Sequence, residues 1–122
     1  MIKIRKPTPL PKQSRVYDLK ARLDWGEPAL TIIDVRDRLQ FNLSHIMGAV
    51  PMPPNEPTDR VLAKLEPGRD LYIYAETDEE TAVAAAQLRQ AGYQNVSEIR
   101  GGLAAWKAVG FPIESLPVTV SL

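Results

Sequence analysis

Apolar residues recur along this chain in two rhythms. Residues 30–35 (Leu-Thr-Ile-Ile-Asp-Val) and 71–75 (Leu-Tyr-Ile-Tyr-Ala) are short, rich in β-branched or aromatic side chains and nearly all apolar, as strands covered on both faces must be. Residues 49–52 and 96–99 predict two further short strands. Elsewhere the spacing is helical. Val16, Leu19 and Leu23 share one face of a helix that Ser14 is placed to cap and that Gly26 and Pro28 end. Residues 79–91 give the clearest helix, because Ala82, Val83, Ala84, Ala85, Ala86, Leu88 and Ala91 combine high propensity with an apolar face and Gly92 stands at the stop. Residues 58–65 and 103–109 predict two shorter helices, the second following a Gly101-Gly102 turn.

Strands that alternate with helices pair in parallel through right-handed crossovers, so the chain is expected to be an α/β domain with helices on both faces of its sheet. In such sheets ligands bind beyond the carboxyl ends of the strands, where loops lead into helix amino-termini. The loop over residues 75–80 has that position. Pro7, Pro9 and Pro11 set off a proline-rich basic arm (1–13) from one domain (14–114), which a tail (115–122) that alternates like an edge strand follows.

Charge and composition then exclude several classes. Fifteen Lys plus Arg balance 15 Asp plus Glu, leaving no net field to draw nucleic acid. The chain holds no cysteine, which removes disulfides, thiolate metal sites and sulfur chemistry on a protein thiol. No apolar run approaches the roughly 20 residues of a membrane span, and no signal-peptide pattern opens the chain, so the cytoplasm is the expected location.

Three segments carry a family resemblance. Asp34-Val35-Arg36, Phe41 and His45-Ile46-Met47-Gly48-Ala49 form the first; the loop after residues 71–74 is the second; the run 96–102, continuing to Ala105-Trp106, Gly110 and Pro112, is the third. In this order they resemble the rhodanese family. The resemblance implies a rhodanese-like fold, a five-stranded parallel sheet flanked by helices, with an active-site loop that cradles a cysteine persulfide. Mapped by position, the family's cysteine falls on Ala75, its glycine on Asp78, its arginine on Glu80 and its hydroxyl residue on Thr81. Only the last is kept, so a catalytically inactive member is expected, with no cofactor.

The loop's own chemistry points the same way. Glu76, Asp78, Glu79 and Glu80 place four acids where an anionic substrate would sit, and such carboxylates repel a bound anion. Asp78 adds a second obstacle, since a glycine reaches backbone angles that a residue with a Cβ adopts only at a cost. As a purely structural feature, Thr77-x-x-Glu80 has capping-box spacing, and acids suit the first turn of a helix. As a binding feature, Glu76, Thr77, Asp78, Glu79, Glu80 and Thr81 would meet a partner protein with a basic surface. A hard cation is the other reading, but calcium needs six to eight oxygens and the spacing is not that of a calcium loop, so no metal is expected.

His45 is the only histidine, and by the family pattern it ties the loop to the sheet rather than serving as a base. Asp34 and Arg36 are expected to form a structural strand-end pair. Trp25, Trp106, Tyr72 and Tyr74 read as core and rim aromatics, and no Ser-His-Asp arrangement is evident. The leading expectation is a non-catalytic, protein-binding or regulatory module. An enzyme component working with a partner's persulfide and a structural subunit of a larger assembly are the alternatives.

Overall fold

The computed structural model describes residues 10–26 and 29–117. Its elements run β1 (Gln13–Ser14), α1 (Val16–Asp24), β2 (Leu30–Asp34), α2 (Arg38–Leu43), β3 (His45–Ile46), β4 (Val50–Pro51), α3 (Asp59–Leu62), β5 (Asp70–Tyr74), α4 (Asp78–Gln90), β6 (Asn95–Ile99), α5 (Gly102–Ala108) and β7 (Ile113–Glu114). Five strands form one sheet in the order β1-β6-β5-β2-β4, parallel throughout. β3 and β7 pair antiparallel beside it.

The period of two in β2 and β5 sorts their side chains between two cores. Ile32, Tyr72 and Tyr74 pack with Val16 and Leu19 of α1, Phe41 of α2, and Leu103 and Trp106 of α5. Ile33, Leu71 and Ile73 face the opposite way, against Ala85 and Leu88 of α4 and the partly buried Val61 and Leu62 of α3. Helices therefore cover both faces, which is why the two central strands are nearly continuous in apolar residues. No helix among the described residues is long and apolar enough to cross a membrane.

Several local expectations change. Ser14 does not cap α1; it lies in β1, and its hydroxyl meets that of Ser97. Arg15 takes the cap position instead, and its backbone N–H donates to the Asp18 carboxylate at 2.9 Å. The sheet thus begins at Gln13, the last residue assigned to the basic arm. Trp25 is not a core or rim residue but 84% exposed, whereas Trp106, Tyr72 and Tyr74 are buried. β1, α2, β3 and β7 were not expected; at two, six, two and two residues they carry no periodicity, and unlike β4 and α3 they fall in no apolar run or turn-bounded segment singled out in the sequence. The arm's residues 1–9, the Pro28 helix stop and tail residues 118–122 lie outside the described residues.

The β6–α5 junction depends on glycine. Gly101 has φ +76°, and a Cβ there would lie 2.6 Å from the Ala105 Cβ. Gly101→Ala is expected to destabilise the fold by about 1–3 kcal/mol, read as a lower urea midpoint at unchanged m-value.

Candidate functional site

β2 and β5 are neighbours in register, with Asp34 opposite Tyr74, so both chains leave the sheet at one place. Asp34 is fully buried there. Its carboxylate accepts the backbone N–H of Arg36 at 2.9 Å and a two-pronged approach from the guanidinium, Nε at 3.1 Å and Nη2 at 2.8 Å. Arg36 Nη2 also donates to the Ser44 carbonyl at 2.6 Å. Burial works against the Arg36 charge, but the hydrogen bonds and field of Asp34 outweigh it and raise the guanidinium's pKa. The Tyr74 hydroxyl accepts from the Ile46 N–H at 3.1 Å. Burial, then the nearby Asp34 charge, push its pKa up.

After β5 the chain turns through Ala75 into α4. Two threonines close this turn: the Ala75 N–H donates to Thr81 Oγ1 at 2.8 Å, Thr81 Oγ1 donates to the Thr77 carbonyl at 2.8 Å, and Thr77 Oγ1 accepts from the Glu80 N–H at 3.1 Å. Only the Thr77 half of the expected capping box is present. Ala75 is buried at the edge of a cavity of about 230 Å³ whose polar border is Arg36, Gln40, Ser44, Glu76 and Lys107.

The four loop acids do not converge on that cavity, contrary to the sequence reading. Glu76 alone borders it. Asp78 turns away, accepting the Gly101 N–H at 2.9 Å and lying 4.0 Å from Arg100. Glu80 faces a separate depression with Val35 and Val83, and Glu79 is exposed on the first turn of α4. The reason is helical geometry: successive residues of a first turn point about 100° apart. Among the described residues no group of acids or His could hold a metal ion. Asp78 also carries no backbone strain, since it opens α4 and no described residue other than glycine has positive φ.

His45 departs from expectation too. Its Nδ1 donates to the Phe41 carbonyl at 2.8 Å and its ring stacks on Phe41, centroids 3.8 Å apart, so it ties β3 to α2. The bond from this segment to the sheet is the Ile46–Tyr74 contact instead. Gln40, Ser44 and Lys107 were not singled out from the sequence; Lys107 had a signal, directly following Trp106 in the third matching segment.

A family model described as the rhodanese-like domain matches residues 16–109. The chain belongs to the rhodanese-like family. The solution structure of the rhodanese-like domain of the Alr3790 protein from Anabaena sp. is 49% identical with a TM-score of 0.80, covering 92% of this chain and 89% of that one. An uncharacterized protein of Synechocystis sp. is 33% identical over 86 residues, covering 70% of this chain and 48% of that protein. The probable adenylyltransferase/sulfurtransferase MoeZ of Mycobacterium tuberculosis is 34% identical over 90 residues, 73% of this chain and 23% of its own length. This rhodanese-like chain thus spans half or less of these curated relatives, and it is related to sulfurtransferase-associated proteins.

Two tests follow from the buried network of this rhodanese-like domain. Asp34→Ala leaves the Arg36 guanidinium buried without its partner and is expected to cost about 3–5 kcal/mol in chemical denaturation. Tyr74 predicts the alkaline behaviour. The folded state keeps its phenolic proton, while the unfolded state releases it above the ordinary value of 10.0. Its contribution is therefore complete below that pH and declines above it, by about 1.4 kcal/mol per pH unit. Tyr74→Phe should make the fall in unfolding free energy shallower by about one proton; an unchanged slope would show that another group governs it.

Proposed function

We propose that this rhodanese-like chain is a non-catalytic module that binds another protein through the 75–81 loop and its surroundings, without sulfurtransferase activity of its own. The observation that carries this reading is Ala75: a methyl group, buried at the position the family resemblance assigns to the cysteine, in a chain with no sulfur nucleophile anywhere. The loop around it is satisfied internally by Thr77 and Thr81, and its acids complement the positive end of the α4 dipole. Glu76, Thr77, Asp78, Glu79 and Glu80 are all exposed, available to a partner with a basic surface.

A second reading, an enzyme component that handles a partner's persulfide, draws support from the cavity border. Arg36 and Lys107 place two cations beside Ala75, where a partner's anionic sulfur would be stabilised. The relative named as an adenylyltransferase/sulfurtransferase carries its matching portion within a much longer protein, which fits a module that acts beside others.

The protein-binding reading is tested by capture of partners on the immobilised chain, comparing the native loop with Glu76→Gln/Glu79→Gln/Glu80→Gln. Capture should fall in the variant and with added salt, because exposed charges are screened over about 8 Å at physiological ionic strength. Equal capture by both proteins would remove the loop from the contact. The cavity's field is tested by a thiol probe. Adding Glu76→Gln to Ala75→Cys should lower the thiol pKa by about one unit, measured from the pH dependence of alkylation, because Glu76 is the one acid bordering the site.

A further inference from the structure

A groove between α4 and α3 opens over the second core and ends at Ala75, on the other side from the Arg36–Lys107 cavity. Two depressions of about 510 and 330 Å³ meet there and share Val35, Pro54, Ala84 and Gln87. Each falls within the ~300–1,000 Å³ common to ligand sites. One end reaches Leu62 and Ala91, the other Ala75 and Glu80. The wall opposite α4 is held in place. Met52 N–H donates to the Asp34 carbonyl at 2.8 Å, and the Tyr93 hydroxyl donates to the Leu62 carbonyl at 3.0 Å. Pro54 and Pro57 in that wall have restricted backbones, so little ordering remains for an occupant to impose.

The floor is apolar and the rim is of one sign. Val35, Met52 and Leu88 lie beneath, and Val83 stands 61% exposed on the lip. The ionisable residues lining the two depressions are Glu56, Asp59 and Glu80; no lysine or arginine lines either. Glu56 is already engaged by Arg38 at 2.8 Å. Asp59 and Glu80 form no ion pair among the described residues, and they stand in different depressions, one toward each end of the groove.

We propose that this groove docks an extended segment of a partner protein that presents an aliphatic side chain flanked by lysine or arginine. The proposal rests on the protein-binding reading and moves the main contact from the loop's tip to the face of α4. An aliphatic side chain gains from covering Val35 and Val83. Flanking cations meet Asp59 and Glu80, which gives direction and partner selection more than raw affinity. A polyanion is repelled by the same rim.

The test uses the full 122-residue chain. Random short peptides displayed on phage are selected against it, and the enriched sequence is synthesised for anisotropy titration. The selected peptides should combine Leu, Ile or Val with neighbouring Lys or Arg. Val83→Arg/Gln87→Arg changes two exposed positions of α4, so the urea midpoint should hold while affinity falls by about tenfold or more. Asp59→Asn/Glu80→Gln should weaken binding and flatten its salt dependence. Absence of enrichment, selected peptides without basic residues, or affinity indifferent to Val83→Arg/Gln87→Arg would overturn the proposal. So would sedimentation showing a dimer that this double substitution dissolves, since a second copy would then cover the groove. Peptides that lose binding only when Glu76 and Glu79 are neutralised would remove the groove yet leave loop-mediated binding standing.

Discussion

A single buried carboxylate organises this end of the molecule. Asp34 sits with no exposed surface at the carboxyl end of β2, and an isolated charge in such a place would be expelled or neutralised. It is kept by Arg36, two residues on, whose backbone and guanidinium both donate to it. The guanidinium then extends to the Ser44 carbonyl, fixing the end of α2, while Tyr74 bonds Ile46 and fixes β3 against β5. On the other flank the Asp34 carbonyl receives the Met52 N–H, where the wall of the α4 groove begins. The Ala75 cavity and the groove are therefore both anchored at one residue, Asp34, the first through its carboxylate and the second through its backbone carbonyl. The value of a buried ion pair lies less in net stability than in the arrangement it enforces.

On that frame the 75–81 turn carries the chain from β5 into α4 and is closed by Thr77 and Thr81. A strand end leads into a helix amino-terminus, the geometry that favours anions. Here Thr77 and Thr81 take up turn donors, and Asp78, Glu79 and Glu80 occupy the first turn of α4. Arg36 and Lys107 still border the cavity beside Ala75, so its charge is mixed rather than uniformly acidic. The chain has no cysteine, so no protein thiol is present to carry a persulfide. The turn presents a shaped, rigid surface with acids distributed around it.

The central strands and the long helix were readable because burial on both faces forces unbroken apolar runs, and because alanines at helical spacing admit no other reading. The position of Ala75 and the Asp34–Arg36 pairing followed from those strands. Three features were hidden for physical reasons. The cap of α1 shifted by one residue because Ser14 gains a strand partner in β6, a long-range contact that local capping preference cannot anticipate. The acids looked like one cluster because adjacency in sequence is not adjacency in space: Glu76 in the turn before α4, and Asp78 and Glu80 in its first turn, point to three different places. The His45 bond to Phe41 depends on α2, which is too short to leave a periodic trace.

The central proposal is that this rhodanese-like chain, which has no cysteine, has no sulfurtransferase activity of its own. The most direct measurement is thiocyanate formation from thiosulfate and cyanide by the purified chain, produced in a host without its own rhodanese. The account predicts a rate no greater than the protein-free reaction. A rate above that blank that scales with protein concentration and disappears in Arg36→Ala or Lys107→Ala would contradict it, because sulfur would then be passing through the cavity without a thiol.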